Sequence, residues 1–151
     1  MGLWELDLAT GQTWRTVEHD RIFGYQELQP AWTVEDARRL VIPEDHPAFE
    51  RALAQAMEAG HLHYVVRIQP PDRPQRWIAV EGEVLRDGAG RPLRVHGTVI
   101  VISERKELEA RVSRAERLEA IATLVRGMSH EINSPLAEVQ EALADAAAGP
   151  G

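Results

Sequence analysis

Three consecutive strands are predicted within residues 61–102, which read HLHYVVRIQPPDRPQRWIAVEGEVLRDGAGRPLRVHGTVIVI. His61–Gln69 alternates apolar and polar residues, and Arg76–Leu85 and Pro92–Ile102 repeat that period of two. A proline-rich loop separates the first two strands, and the Asp87–Gly90 turn separates the second and third. The three strands are therefore expected to form an antiparallel meander with one apolar face.

The N-terminal residues predict a further hairpin. Leu3–Leu8 alternates apolar and acidic residues, Thr10-Gly11 interrupts the pattern, and Thr13–Val17 resumes it. We therefore expect two strands at the start of the chain, before a group of short helices.

The helices between the hairpin and the meander are predicted from their terminal residues. A short helix is expected near Ile22, and a second over Thr33–Arg39, with Thr33 as N-cap and Asp36 at the third helical position. A third helix is expected to have Pro47 in its first turn and to stop at Gly60. The resulting order is strand, strand, helices and three strands, which predicts an α+β domain.

Composition excludes several classes of function. The 151 residues are 44% hydrophobic and 27% charged, and they include no cysteine, which excludes disulfides, thiolate zinc sites and a cysteinyl flavin adduct. The net charge of -7 argues against non-specific nucleic-acid binding. Apolar runs are too short to span a bilayer, and Glu5 and Asp7 interrupt the first one. This segment is expected to be cytoplasmic without membrane contact, whereas a parent protein could carry spans upstream.

Several motifs resemble the PAS domains of histidine kinases. Gly2–Asp7 resembles their first hairpin, Ile22–Tyr25 their short-helix signature, Val41–Asp45 their "hPeD" turn and Val101–Lys106 their "DITERK" exit motif. The resemblance covers residues 2–106. It implies a PAS fold, with a five-stranded antiparallel sheet and short helices on one face, followed by a long, coiled-coil-like C-terminal helix.

The exit motif departs from the family at Val101. Relatives commonly have Asp there, which caps or bridges the domain to the exit helix. The resemblance therefore does not carry that coupling contact over. Ser103 is expected to supply an N-cap hydroxyl instead, without a full capping box because Lys106 stands three residues later.

The resemblance leaves the ligand of the domain open, because PAS domains bind haem, flavin, small metabolites or nothing. Haem would need an axial histidine on the helix near residues 47–59, where none lies, although His46 stands at its edge. His61 and His63 share one strand face without an evident third ligand, so they are predicted to be surface or partly buried strand residues, and no metal site is expected.

Four tryptophans could line a cofactor pocket, but core packing is the simpler prediction for each of them. They are Trp4, Trp14, Trp32 and Trp77.

From Ser103 onward the sequence predicts a long helix that needs a partner. Its apolar residues are spaced by 3 and 4, which is a heptad pattern, so a homodimer is expected through this helix. The pattern comprises Leu108, Val112 and Ala115, then Leu118, Ile121, Val125, Met128 and Ile132. The join from Ala115 to Leu118 is one residue too short to keep register. One hypothesis is a seam that shifts register on signalling, and the other is a pattern blurred by weak Ala and Glu positions.

The run Ser129-His130-Glu131-Ile132-Asn133-Ser134-Pro135 resembles the histidine kinase H-box, "HEINNPL". The resemblance implies that His130 is the phosphoacceptor and that Glu131 orients its ring and accepts its proton. Asn133 and Ser134 are candidates to support phosphotransfer or phosphatase activity, and Pro135 to kink the helix. The heptad positions place His130 away from the seam.

Two departures limit what this motif implies. Relatives have Asn or Thr four residues after the histidine to position water for dephosphorylation, and Ser134 stands here, so phosphatase activity is not carried over. A zinc protease motif, His-Glu-x-x-His, is excluded because Ser134 replaces its second histidine.

The sequence thus predicts three segments: a PAS sensor domain (1–103), a signalling linker helix (104–117) and an incomplete first helix of a dimerisation and phosphoacceptor domain (118–151). The expected function is signal input and phosphoacceptor of a two-component histidine kinase, with a response regulator receiver domain as partner. An ATP-binding domain is expected to act from outside this chain, supplying Mg-ATP, so the chain should not phosphorylate itself. The alternative is a non-catalytic PAS ligand-binding or dimerisation module with a remnant H-box.

Overall fold

The computed structural model describes residues 1–71 and 73–149, except the side chains of residues 129–137. Its five-stranded antiparallel sheet has the order β2-β1-β5-β4-β3. The strands are β1 (Gly2–Asp7), β2 (Thr13–Arg15), β3 (His61–Ile68), β4 (Arg76–Arg86) and β5 (Pro92–Val101). The predicted hairpin and the predicted meander are both confirmed, and β1 joins them by pairing with β5.

Four helices accompany the sheet. They are α1 (Val17–Ile22), α2 (Val34–Leu40), α3 (His46–Ala59) and α4 (Ser103–Ala147), with a 3-10 turn at Pro43–Asp45. The fold class predicted from sequence, a sheet with short helices followed by a long C-terminal helix, is confirmed.

Local side-chain chemistry sets two helix ends. Thr33 Oγ1 accepts a hydrogen bond from Asp36 N at 3.2 Å, and Asp36 Oδ2 accepts one from Thr33 N at 2.8 Å, which makes a capping box at the start of α2. At the end of α3, Gly60 adopts a φ of 82°, a left-handed conformation that favours glycine. Both predicted ends are therefore confirmed.

The core lies on one face of the sheet. Val66 and Ile68 on β3 are fully buried, as are Ile78 and Val99 on the other strands of the meander. Phe49 of α3 covers them and is 1% exposed. Burial of these side chains is the main source of stability in a domain of this size.

Two glycines in adjacent strands let Trp4 approach the sheet closely. Trp4, Gly97 and Gly82 are register partners on β1, β5 and β4. A Cβ at Gly82 would lie 3.0 Å from the Trp4 ring, and a Cβ at Gly97 would lie 2.7 Å from Gly82 Cα and overlap the Glu81 carbonyl oxygen. The sheet therefore has no room for a larger residue at Gly97, and at Gly82 a larger residue requires its neighbours to shift.

The prediction of core packing is wrong for two tryptophans. Trp14 is 63% exposed, and Trp77 lies on the opposite face of the sheet from its buried neighbours Ile78 and Val80. Successive side chains of a strand point to opposite faces, so Trp77 cannot join the core that Ile78 enters. Trp32 is buried in the core and Trp4 packs against it, as predicted.

The chain divides into two compact units, Met1–Lys106 and a second unit that begins at Glu107. The predicted segment boundaries near 103 and 117 remain predictions. No helix in the described part of the chain is long and apolar enough to cross a membrane.

Candidate functional site

A cavity of about 90 Å³ lies inside the N-terminal unit, between the sheet and the short helices. All five strands and α1, α2 and α3 contribute lining residues. Most of these are apolar, and those that carry polar side-chain atoms are Thr13, His19, Thr33, Tyr64, Trp4 and Trp32. A space of this size holds about three water molecules or one small organic molecule.

A buried ion pair lies next to His19, one of the residues that line the cavity. Arg15 Nε donates to Asp20 Oδ1 at 2.7 Å, and Arg15 Nη2 donates to Asp20 Oδ2 at 3.1 Å. Gln29 N also donates to Asp20 Oδ2, at 2.7 Å. The pair therefore ties β2 to α1 and to the loop after α1, and the carboxylate has a charged partner to replace the water that it has lost.

His19 extends this cluster to the cavity. Its Nδ1 lies 2.9 Å from Asp20 Oδ1, and its ring packs against Phe23 and Trp32, with ring centroids 4.8 and 5.3 Å away. Only 5% of the residue is exposed. The His19 ring therefore places a polar group in the lining of the cavity, between the apolar rings of Phe23 and Trp32.

The cluster favours an ionised Asp20 and a neutral His19. Burial raises the pKa of Asp20, but hydrogen bonds from Arg15, Gln29 N and His19 outweigh burial and hold that pKa below its usual value. Burial lowers the pKa of His19 despite the opposing effect of Asp20. Near neutral pH the ring is therefore uncharged.

Tyr64 is the second polar side chain of interest in the lining. Its ring packs edge-on against Phe49 with centroids 5.2 Å apart, and burial raises the pKa of its hydroxyl well above the usual range. The hydroxyl thus stays protonated and can donate a hydrogen bond at any physiological pH.

A second cluster lies where the sheet meets α4. Asp45 accepts hydrogen bonds from Arg67 N at 2.7 Å and from its guanidinium at 2.7 and 3.0 Å, and these bonds lower the pKa of Asp45. Arg67 Cζ lies 5.1 Å from the centroid of the Trp77 ring, and Lys106 Nζ lies 5.0 Å from it. Trp77 thus contacts cations from both β3 and the first turn of α4.

Ser103 takes a different part from the one predicted. It is the first residue of α4, and its hydroxyl accepts a hydrogen bond from Trp77 N at 2.9 Å. Trp77 O in turn accepts one from Ile102 N at 2.9 Å. The start of α4 is therefore attached to β4 although Val101 replaces the usual Asp.

The histidines considered for haem or metal binding have other surroundings. His46 is the first residue of α3, and its Nε2 donates to the Val41 carbonyl oxygen over 2.9 Å. His61 and His63 are exposed, and His63 Nδ1 lies 3.6 Å from Glu81 Oε1. Within the described residues, no three ligating side chains are close enough to hold a metal ion.

The predicted phosphoacceptor segment lies outside the described side chains. This applies to His130, Glu131, Asn133, Ser134 and Pro135, which stay predictions from the sequence. Upstream of them, the heptad residues Leu118, Ile121, Val125 and Met128 are 49% to 60% exposed. An apolar stripe of α4 is thus uncovered within one copy of the chain.

Sequence reasoning missed Arg15, His19 and Asp20 as site residues. The available signal was a His-Asp pair one residue before the apolar Ile22-Phe23, since charged residues near buried ones need partners. Their meeting with Arg15 depends on the position of β2 against α1, which residue spacing does not reveal.

Comparisons with known proteins agree with this architecture. A family model described as the PAS fold matches residues 15–99. The signal transduction histidine-protein kinase AtoS of Escherichia coli is 26% identical over 100 residues, which cover 64% of this chain and 16% of that protein. The chain thus spans about a sixth of the length of this relative.

Solved structures give the same result. A sensory box histidine kinase/response regulator from Burkholderia thailandensis matches with a TM-score of 0.64 and 28% identity, covering 78% of this chain and 90% of that one. The N-terminal domain of a diguanylate cyclase with PAS/PAC sensor from Marinobacter aquaeolei matches with a TM-score of 0.63 and 20% identity, covering 70% and 97%. Since the family model covers more than half of the sequence, this chain belongs to the PAS fold family.

Proposed function

We propose that this chain is the sensory input and phosphoacceptor segment of a two-component histidine kinase. The PAS domain perceives a small molecule in its cavity, and the linker helix relays the change. The response is autophosphorylation on His130 and transfer of the phosphoryl group to a response regulator. The proposal places the segment in the cytoplasm, where Mg-ATP is available.

The observation that carries the sensing half is the cavity of about 90 Å³ inside a PAS domain. Concave, mostly apolar cavities with a few polar groups are the usual form of small-molecule sites. The domain is attached to α4 through Trp77, Ser103 and Lys106, so a change in β4 would reach the start of that helix first.

The H-box selects a kinase over other PAS proteins. The similar structures include a diguanylate cyclase sensor as well as a histidine kinase, so the PAS fold alone does not decide the output. The run Ser129–Pro135 favours a histidine kinase, because it resembles the H-box in pairing a histidine with an adjacent carboxylate.

The proposed chemistry follows from these residues. A neutral imidazole at His130 attacks the γ-phosphorus of ATP, and Glu131 orients the ring and accepts its proton. The phosphoryl group passes to nitrogen while ADP leaves with Mg²⁺ compensating its charge. Asn133 and Ser134 are proposed to support transfer to the regulator, and Pro135 to act as a hinge.

The proposed homodimer accounts for the exposed stripe on α4. Leu118, Ile121, Val125 and Met128 recur at heptad spacing, the pattern by which two identical helices bury their apolar residues against each other. A second copy of this chain is therefore the proposed partner of the stripe.

Phosphotransfer in trans tests the proposal. The full chain would be mixed with Mg-ATP and a separately expressed ATP-binding domain of a related kinase, and acid-labile phosphate on the chain would be measured. We expect label on the wild type and on His63→Ala, a surface histidine control, and none on His130→Ala.

The opposite result favours a different function. A folded, dimeric chain that takes no label from an ATP-binding domain shown to label its own cognate histidine would support the non-catalytic module. Ser134, which departs from the family pattern, is the residue that favours this second candidate.

A further inference from the structure

We infer that the cavity takes a small uncharged molecule whose apolar body carries one O–H or N–H group, and that this group donates a hydrogen bond to Nε2 of His19. This inference rests on the proposed sensing role of the cavity and specifies the chemistry of its ligand. Its three supports are the protonation of the ring, the lack of a protein partner at Nε2 and the size of the cavity.

The contact with Asp20 fixes the position of the ring proton. An ionised carboxylate can only accept hydrogen bonds, so His19 Nδ1, 2.9 Å from Asp20 Oδ1, must be the donor. A neutral imidazole has a single N–H. With that proton on Nδ1, Nε2 presents a lone pair and can only accept.

Within the described residues, Nε2 of His19 has no hydrogen-bond donor, since the only bond of this side chain is the one from Nδ1. The same residues include no side-chain nitrogen or oxygen that is both shielded from all accessible space and unpaired. Nε2 therefore retains accessible surface. The ring borders the cavity between Phe23 and Trp32, so a molecule inside the cavity is the natural donor.

Charge and volume define the rest of the ligand. Arg15 and Asp20 already neutralise each other, so a charged ligand would lose its hydration and find no free counter-charge. A dry cavity of about 150 Å³ accommodates benzene, so one of about 90 Å³ suits roughly four or five non-hydrogen atoms. The predicted ligand class is therefore a short alcohol or a comparable N–H compound.

Titration of the full chain with 2-butanol and 2-butanone tests the inference. The two probes have the same chain of four carbons with an oxygen on the second carbon, but only the alcohol can donate a hydrogen bond. One neutral hydrogen bond corresponds to about three- to tenfold in affinity, so we expect 2-butanol to bind that much more tightly. We also expect the ¹⁵N resonance of His19 Nε2 to move with 2-butanol and to stay in place with 2-butanone.

Two variants assign the effect to the ring nitrogen. His19→Phe keeps an aromatic ring without the acceptor and should abolish the preference for the alcohol. His63→Phe makes the same change on an exposed strand position and should leave the preference intact. Should His19→Phe fail to fold, the ¹⁵N titration of the wild type gives the answer by itself.

The outcomes separate this inference from the proposed function. Equal binding of both probes, or alcohol binding that leaves Nε2 unmoved, would overturn the assignment to His19 while leaving the sensing role in place. Binding of neither probe would overturn both the ligand chemistry and the sensing role of the cavity. Label on His130 in the phosphotransfer assay is independent of either result.

Discussion

Arg15 and Asp20 form an ion pair whose side chains are 4% and 0% exposed. Removing one charge of such a pair leaves the other buried without compensation. We therefore expect Asp20→Asn to lower the free energy of unfolding by about 3 to 5 kcal/mol. Urea denaturation would measure the loss.

An exposed ion pair provides the control. Glu50 accepts hydrogen bonds from Arg38 at 2.9 and 3.0 Å, but both side chains are well exposed, 53% and 38%. Glu50→Gln makes the same acid-to-amide change and should cost no more than about 1 kcal/mol. Equal costs for Glu50→Gln and Asp20→Asn would contradict the importance given to the buried pair.

His19 should make stability depend on pH. Burial lowers the pKa of His19 in the folded protein. Asp20 raises this pKa and Arg15 lowers it, and the pKa is lowered overall. The unfolded chain therefore binds a proton first, below about pH 6.5. The contribution of His19 to stability is complete above that pH and declines as the pH falls toward the folded pKa.

Paired urea titrations at pH 7.5 and pH 5.5 would test this dependence. From pH 7.5 to pH 5.5 the free energy of unfolding should fall more in the wild type than in His19→Gln, whose side chain at position 19 cannot titrate. A variant that loses as much stability as the wild type would show that His19 does not titrate in folding.

Among elements, the row of Trp4, Gly97 and Gly82 is the most sterically restricted part of the sheet. A Cβ at Gly97 would overlap the backbone of β4, which cannot move without disturbing its pairing with β3. We expect Gly97→Ala to destabilise the domain by about 2 to 3 kcal/mol, as overpacking does. Gly88→Ala is the matched control, since nothing lies within 4 Å of its Cβ and it should change stability by less than about 0.5 kcal/mol. Thermal denaturation of both variants would compare them.

A side-chain hydrogen bond attaches the start of α4 to β4. Ser103→Ala removes the oxygen that accepts the hydrogen bond from Trp77 N. We expect the Trp77 amide to exchange its hydrogen at least about fivefold faster, since about 1 kcal/mol or more of protection is lost. Ser113→Ala, at an exposed position further along α4, should leave the exchange of Trp77 unchanged. Hydrogen exchange followed by NMR would distinguish them.

The ends of helices were predictable where the residue that sets them interacts with backbone close to it in sequence. Thr33 and Asp36 cap a helix through neighbours in sequence, and Gly60 ends one through its own φ, so the sequence contains each interaction. Trp77 was mispredicted because its partners, Arg67 and Lys106, come from β3 and α4. Large aromatic residues suggest a core, but alternation along β4 placed this one on the other face.

At the scale of the whole molecule, association through α4 should depend on one stripe. Ile121→Glu introduces a charge among the heptad residues and should keep the chain monomeric, because burying an unpaired carboxylate is unfavourable. Ala120→Glu adds the same charge one position away, outside the heptad positions, and should leave the dimer intact. Sedimentation over a range of concentrations would detect both results, and an unchanged dimer in Ile121→Glu would exclude this stripe as the interface.

The pairing of consecutive strands was predictable for the molecule as a whole, and the cavity was not. Short turns such as Asp87–Gly90 bring consecutive strands together, so the meander followed from the sequence. The cavity is the space left between side chains of eight elements, and its volume depends on how all of them pack. The Arg15–Asp20 pair and His19 were missed for the same reason, since tertiary structure alone unites them.

The cavity also makes the molecule sensitive to hydrostatic pressure. A cavity of about 90 Å³ that is dry in the folded protein corresponds to about 54 mL per mole, and unfolding would let water occupy that space. Compression should therefore favour unfolding of the empty domain more than of a domain whose cavity is filled. The midpoint pressure of unfolding would then report whether the cavity is occupied, without any label. A compound that raises this midpoint more in the wild type than in a variant with a filled cavity would be a ligand of the cavity.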